Sequence, residues 1–246
     1  MTALGVIPAR YGSTRLLAKP LHKIKGKPLL EWVVNGVRGA KLLSDLIVAT
    51  DHEKIANLAE SLGVRAVMTD PELPSGSDRV WAAAQKHNAN IVINIQGDEP
   101  LIAPYWVDNL IQAMVEKPQV EMATLAHELP SNELDEKGTV KVILNRDSEA
   151  IYFSRFGIPY SRESIEKWPG VALKHIGLYG YRKNFLQKFC EQKPTPLEKS
   201  ESLEQLRALW LGAKIHVVKI AGQSIGVDTP EDVTRVEEIL AKGERT

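Results

Sequence analysis

With one cysteine, Cys190, in 246 residues, the chain has no partner for an intrachain disulfide, and no group of cysteines and histidines has the spacing of a structural zinc site. A reducing compartment is expected, and any metal must sit on carboxylates. No apolar run approaches the roughly 20 residues that span a bilayer, and the opening MTALGVIPARYG runs straight into strand-like sequence. The expectation is a cytoplasmic protein without membrane insertion. Net charge is also lacking, since 31 basic side chains balance 31 acidic ones. That excludes the basic surplus of a nucleic-acid binder. Repeats, low-complexity tracts and flexible linkers are absent, as are two phosphate signatures. No glycine is followed after four residues by Gly-Lys-Ser/Thr, and no GxGxxG opens the first helix.

The neutrality is uneven. The first thirty residues carry Arg10, Arg15, Lys19, Lys23, Lys25 and Lys27, with no acidic residue before Glu31. Short Val- and Ile-rich runs recur at Leu4 to Ile7, Leu46 to Ala49, Ala66 to Met68 and Ile91 to Ile95, each too short for a helix and reading as a buried strand. Between and after them lie stretches of helical spacing at Leu29 to Lys41, His52 to Leu62, Ser77 to His87 and Pro104 to Lys117. Ser77 and Pro104 read as first-turn residues of their helices. This alternation predicts βαβ units and a parallel, doubly wound sheet through the first half.

Downstream, Val140 to Leu144 and Ile176 to Tyr181 read as strands joined by a polar connection containing Trp168-Pro169-Gly170. A subdomain or insertion is expected there. Helices are expected at Leu186 to Glu191, Ser202 to Leu211 and Pro230 to Ala241, with a strand at Ile215 to Ile220.

In an open α/β sheet the ligand crevice lies beyond the carboxyl ends of the strands. The loop PARYGSTRLLAKP, Pro8 to Pro20, therefore sets Arg10, Arg15, Lys19, Gly12 and the hydroxyls of Ser13 and Thr14 where a ligand belongs. Guanidinium forks, an ammonium and backbone amides are the donors a polyphosphate needs. The stretch NIQGDEP brings Gln96, Asp98 and Glu99 to the same edge, and SIGVDTPED adds Asp228 ahead of a helix start. One aspartate at each of two strand ends suits a metal-assisted phosphoryl transfer, while Glu231 and Asp232 complement the dipole of the following helix. LPSGSDR, Leu73 to Arg79, is a weaker candidate, and His175 reads equally well as a structural histidine.

Taken in order, PARYGSTRLLAKP, ATDHE, SGSDR, NIQGDEP, MATL, YFSR, HIGLYGYR, LEQLRALW and GVDTPED resemble the 3-deoxy-manno-octulosonate cytidylyltransferase (CMP-Kdo synthetase) family of lipopolysaccharide biosynthesis, from Ile7 to about Val236. The resemblance implies transfer of CMP from CTP to the anomeric hydroxyl of Kdo, with release of pyrophosphate. It implies an α/β, Rossmann-like nucleotidyltransferase fold that dimerises, with a mostly parallel central sheet flanked by helices. Residues 1–246 would form one domain, with an insertion or dimerisation subdomain over about 130–200. By the same resemblance Arg10, Ser13, Arg15 and Lys19 would hold the triphosphate. Ser75, Asp78 and Arg79 would lie around the cytidine, and Asp98 and Asp228 would bind Mg²⁺. Gln96, Arg155, His175, Tyr179, Glu204 and Gln205 would meet the sugar acid. Where the family has Pro-Gly, this chain has Leu17-Ala18, which predicts an altered loop before Lys19, because alanine does not readily take positive φ. Three alternatives stay open: the 8-amino analogue of Kdo as substrate, a sialic-acid cytidylyltransferase, whose loop ends in Lys-Asn rather than Lys19-Pro20, and a non-catalytic nucleotide-binding module.

Overall fold

The computed structural model describes residues 1–12, 16, 18–163, 167–222 and 224–242. Its first half runs β1 (Ala3–Ala9), β2 (Lys23–Ile24), β3 (Lys27–Pro28), α1 (Leu29–Val37), β4 (Asp45–Thr50), α2 (Glu53–Ser61), β5 (Arg65–Met68), α3 (Gly76–Ala84), β6 (Ile91–Asn94) and α4 (Pro104–Glu116). The second half runs β7 (Met122–Glu128), β8 (Lys141–Leu144), β9 (Ala150–Ser154), β10 (Leu173–Arg182), α5 (Lys183–Glu191), α6 (Pro196–Glu201), α7 (Gln205–Trp210), β11 (Ile215–Lys219) and α8 (Pro230–Ala241).

The main sheet has the order β11-β7-β10-β6-β1-β4-β5. Strands β6, β1, β4 and β5 pair in parallel, as the alternation of strand and helix requires. β10 enters antiparallel between β6 and β7, and β8 and β9 branch off the main order, β8 pairing with the first residues of β10 and β9 with β8. Strand order reverses between β1 and β6, which makes their carboxyl ends the switch point where such sheets bind ligands. β1 shows the two-sided burial of a central strand. Ala3, Ile7 and Ala9 join one apolar layer under α1, α2 and α4, while Leu4 and Val6 join the opposite layer with α3, α5 and α7.

Several boundaries differ from the sequence reading. Helix α3 starts at Gly76, one residue earlier than Ser77. Ser75 is its N-cap, accepting the Asp78 amide, and Ser77 is buried inside the helix. Strands β2, β3, β7 and β9 and helix α6 have no predicted counterpart, although a Thr195–Glu198 capping box marks the start of α6. SIGV ahead of Asp228 is an irregular segment rather than a strand, so only Asp98 follows a strand end. Asp232 does belong to the first turn of α8, in a capping box with Thr229.

A third apolar cluster joins Ile24, Leu29, Leu101, Val227 and Val236. It seats α8 against the β2–β3 hairpin and the segment after β6. The Val227 amide also donates to the Asp98 carbonyl at 2.9 Å, so the two aspartate segments run side by side. Gly97 permits the close approach of the β6 loop to β1, because a Cβ there would lie 2.9 Å from the Pro8 carbonyl oxygen.

Candidate active site

A cavity of about 1120 Å³ opens over the carboxyl ends of β1 and β6. Arg10 and Lys19 line it from the first loop, and Ser75 and Arg79 from the start of α3. Gln96 and Asp98 follow β6, while Arg155, His175, Tyr179, Glu204 and Gln205 form the far side and Asp228 closes the ring. Ser13 and Arg15 lie outside the described residues. Asp78 does not line the cavity; its carboxylate accepts from the Ser75 hydroxyl at 2.7 Å within the α3 cap.

Lys19 sits where the first loop, the β6 loop and the Asp228 segment meet. Its Nζ donates to Asp98 Oδ2 at 2.6 Å and to Asp228 Oδ1 at 2.8 Å. Burial works against its charge, but the Asp98 and Asp228 carboxylates outweigh that and hold its pKa above the ordinary lysine value. Two carboxylates that reach one ammonium can reach one cation, and their all-oxygen character suits a hard divalent ion. Among the described residues no three acidic, histidine or cysteine side chains cluster as a complete metal cage. A metal here would complete its shell with substrate oxygens.

Ala18 corrects the expectation about the loop. It adopts φ 52° and ψ 37°, the left-handed region that glycine would favour, so the chain keeps the turn despite the alanine. Lys19 therefore still reaches both aspartates. The conformation costs alanine roughly 1–2 kcal/mol, so Ala18→Gly is expected to raise stability by roughly 0.5–1 kcal/mol after the greater chain entropy of glycine is offset. A thermal midpoint that falls or stays put would contradict this backbone assignment.

Glu99, to which the sequence reading gives no role, is buried beneath the aspartates. Both of its carboxyl oxygens lie 2.9 Å from Ser224 Oγ, tying the β6 loop to the Asp228 segment. Burial, with the neighbouring Asp98 charge adding to it, pushes its pKa up to about 8.

The far side is built from β10 and α7. His175 and Tyr179, four residues apart on β10, share the face that lines the cavity, with ring centroids 5.5 Å apart across a bulge between Ile176 and Tyr179. Tyr179 donates its hydroxyl to Gln205 Oε1 at 3.2 Å. The Thr124 hydroxyl faces the Ile176 and Leu178 carbonyls, so its oxygen accepts from His175 Nε2–H at 3.0 Å. Glu204 and Gln205 stand at the start of α7, and Arg207 on that helix pairs its buried guanidinium with Glu198. Burial raises the Glu204 pKa, and Glu204 Oε2 and Gln205 Nε2 are buried polar atoms without a hydrogen-bond partner among the described residues. Such atoms suit a polar ligand. The Arg155 guanidinium donates to the Glu201, Lys137 and Ser202 carbonyls at 3.0, 3.2 and 3.5 Å. Its own carbonyl accepts from the fully buried Lys141 ammonium at 2.6 Å. Lys174, missed in the sequence, lines the cavity and pairs with Glu133 at 2.7 Å.

Burial pushes the His175 pKa down to about 3, so the ring is neutral at pH 7 and a poor proton acceptor. The unfolded chain takes up this proton first. The stabilising contribution is whole above about pH 6.5 and is lost as pH falls toward 3. His127 and His216 are depressed by burial in the same sense. Urea midpoints are expected to fall between pH 7 and 4, with a shallower fall in His175→Gln; equal slopes in the two proteins would contradict a buried neutral ring.

Comparison with known proteins gives consistent matches. Residues 4–215 match the model of the cytidylyltransferase family. A 3-deoxy-manno-octulosonate cytidylyltransferase from Bdellovibrio bacteriovorus is 53% identical over 243 residues, covering 98% of both chains. One of the same name from Geobacter sulfurreducens is 41% identical, covering 98% of this chain and all of that one. The solved structure of CMP:2-keto-3-deoxy-manno-octonic acid synthetase complexed with CTP superposes with a TM-score of 0.92 at 40% identity, covering 99% of this chain and 100% of that one. A cytidylyltransferase from Leptospira borgpetersenii shares the fold, with a TM-score of 0.66 at 16% identity over 98% of this chain and 87% of that one. Among the described residues no helix is long and apolar enough to cross a membrane.

Proposed function

The chain belongs to the cytidylyltransferase family, and from that premise we propose that it transfers CMP from CTP to the anomeric hydroxyl of 3-deoxy-manno-octulosonate, releasing pyrophosphate. Relatives at 53% and 41% identity carry the name of that reaction. The observation that carries the reading is the meeting of the basic loop with two carboxylates on one Lys19 ammonium, inside a cavity at the sheet's switch point.

The sugar hydroxyl, giving up its proton to solvent, attacks the α-phosphorus in line, and pyrophosphate leaves on the opposite side. Negative charge then grows on the phosphoryl and leaving oxygens. Arg10 and Lys19 stand where they stabilise that charge, with Ser13 and Arg15 completing the triphosphate loop. Ser75, Asp78 and Arg79 build the cytidine side. Asp78 acts there through the α3 cap, because its carboxylate is turned to Ser75. Gln96, Arg155, His175, Tyr179, Glu204 and Gln205 receive the sugar acid, Arg155 holding its carboxylate. The low pKa of His175 leaves it an orienting hydrogen-bond partner rather than a base.

Asp98 and Asp228 would hold Mg²⁺, which supplies neutralisation of phosphate charge and acidifies a coordinated hydroxyl. The product would serve lipopolysaccharide biosynthesis in the cytoplasm, and the enzyme would act as a homodimer. In support of the dimer, residues 130–200 expose Phe156, Tyr160 and Trp168, at 75%, 89% and 58% of their surface. A dimerisation subdomain there would give a two-chain mass in sedimentation; a monomer at tens of micromolar would contradict it.

Pyrophosphate release measured with CTP, Mg²⁺ and a panel of 2-keto sugar acids tests the function. Release that requires all three components is expected, with paired turnover on Kdo and its 8-amino analogue fixing the sugar. No release with any sugar acid would overturn the reading.

A further inference from the structure

The Asp51 carboxylate, in the ATDHE stretch at the end of β4, joins parts of the nucleotide end that are far apart in sequence. Its Oδ1 accepts from the Tyr11 amide at 2.9 Å, and its Oδ2 accepts from Arg79 Nη2 at 3.2 Å. The side chain is 9% exposed and that of Arg79 3%, so both bonds are shielded from water. The Tyr11 carbonyl in turn accepts from the Ala18 amide at 3.1 Å, immediately before Lys19. The Tyr11 ring stacks on His52 with centroids 3.8 Å apart and planes 14° from parallel. Tyr11 thus ties Ala18 to the start of the loop through its carbonyl, and Asp51 fixes Tyr11 to the end of β4 through its amide. The same carboxylate answers a repulsion: burial lowers the Arg79 pKa, Arg10 adds to the lowering, and Asp51 opposes it.

We propose that Asp51 is a positioning residue for nucleotide binding, locking the Tyr11 peptide at the base of the triphosphate loop to Arg79 on α3. Asp51 does not line the cavity, so it acts through the loop and Arg79 rather than by touching substrate. The proposal rests on the reading of that loop as the triphosphate site. A role confined to stability would lower the thermal midpoint and affect both substrates alike. A positioning role separates them, because the sugar side is built from β10 and α7.

The test is CTP affinity by calorimetry, with KM for the sugar acid, in the full-length enzyme carrying Asp51→Ala, Asp51→Asn or Lys19→Ala. Asp51→Ala is expected to weaken CTP by about 10- to 100-fold, the scale of a lost hydrogen bond to a charged group. Sugar KM should stay within about twofold, and Asp51→Asn, which keeps an acceptor for the Tyr11 amide, should recover part of the loss. If Asp51→Ala fails to fold because it strands the buried Arg79 charge, the double variant Asp51→Ala/Arg79→Gln is compared with Arg79→Gln alone. A further loss of CTP affinity in the double variant supports the loop anchor. Unchanged CTP affinity in folded Asp51→Ala, no further loss in the double variant, or an equal rise in sugar KM overturns the proposal. If Lys19→Ala binds CTP normally, the triphosphate-loop reading fails and the Asp51 role with it. If only Lys19→Ala weakens CTP, the loop reading stands and the Asp51 role alone fails.

Discussion

Lys19→Ala is expected to lower turnover by at least about 100- to 1000-fold, the cost of deleting one positioned charge from a transition state, while the protein stays folded. The Lys19 ammonium hydrogen-bonds both aspartates, at 2.6 and 2.8 Å. It also comes directly after the turn at Ala18 that aims the loop into the cavity. Truncation removes the donor proposed for the phosphates and leaves Asp98 and Asp228 without their shared cation. Lys19→Arg should restore little, since a planar fork does not occupy the point position of an ammonium between two carboxylates. Pyrophosphate release and circular dichroism are the measurements. Near-normal release from folded Lys19→Ala would remove the phosphate role assigned to this residue.

Asp98→Asn and Asp228→Asn are each expected to cost about 100- to 1000-fold in turnover, with a higher Mg²⁺ concentration needed for half-maximal rate. The two side chains are 29% and 35% exposed, so global stability should change little and the loss should be read in catalysis. Each amide keeps one oxygen but gives up the charge, and a hard cation prefers a carboxylate. The double variant should be little worse than either single one, because the pair acts as a unit. Asp98 or Asp228 variants with wild-type rate and unchanged Mg²⁺ dependence would exclude them as metal ligands.

Much of this site is legible locally. The β1 and β6 runs are short, apolar and β-branched, a pattern that allows only a buried strand, and the residues directly after each strand therefore belong at the sheet edge. The helix start at Pro230 is legible because Thr and Asp at the cap and third positions accept from exposed amides, and Pro at the first position has no amide to satisfy. Ser75 and Ser77 both carry hydroxyls near the α3 start, and choosing between them depends on which one the backbone turns outward. The short helix α6 has too few residues to display a period, and β9 exposes Ile151 on one face, which blurs its strand pattern.

By itself the sequence determined which residues could carry chemistry: a basic loop, two aspartate-bearing turns, and an ordered set of motifs of one family. Hydrophobic period and turn chemistry are properties of neighbouring residues, so a single chain displays them. Only the tertiary structure decided that Asp228, 209 positions from Lys19, reaches the same ammonium as Asp98. That meeting depends on α8 packing through Val227 and Val236 against Leu29 and Leu101. Only the structure decided that His175 is neutral, because its pKa answers to burial on all sides. The placing of Asp51 under the loop was likewise decided there, since the alternation predicts parallel strands but not which side chain at the end of β4 meets the Tyr11 amide and Arg79.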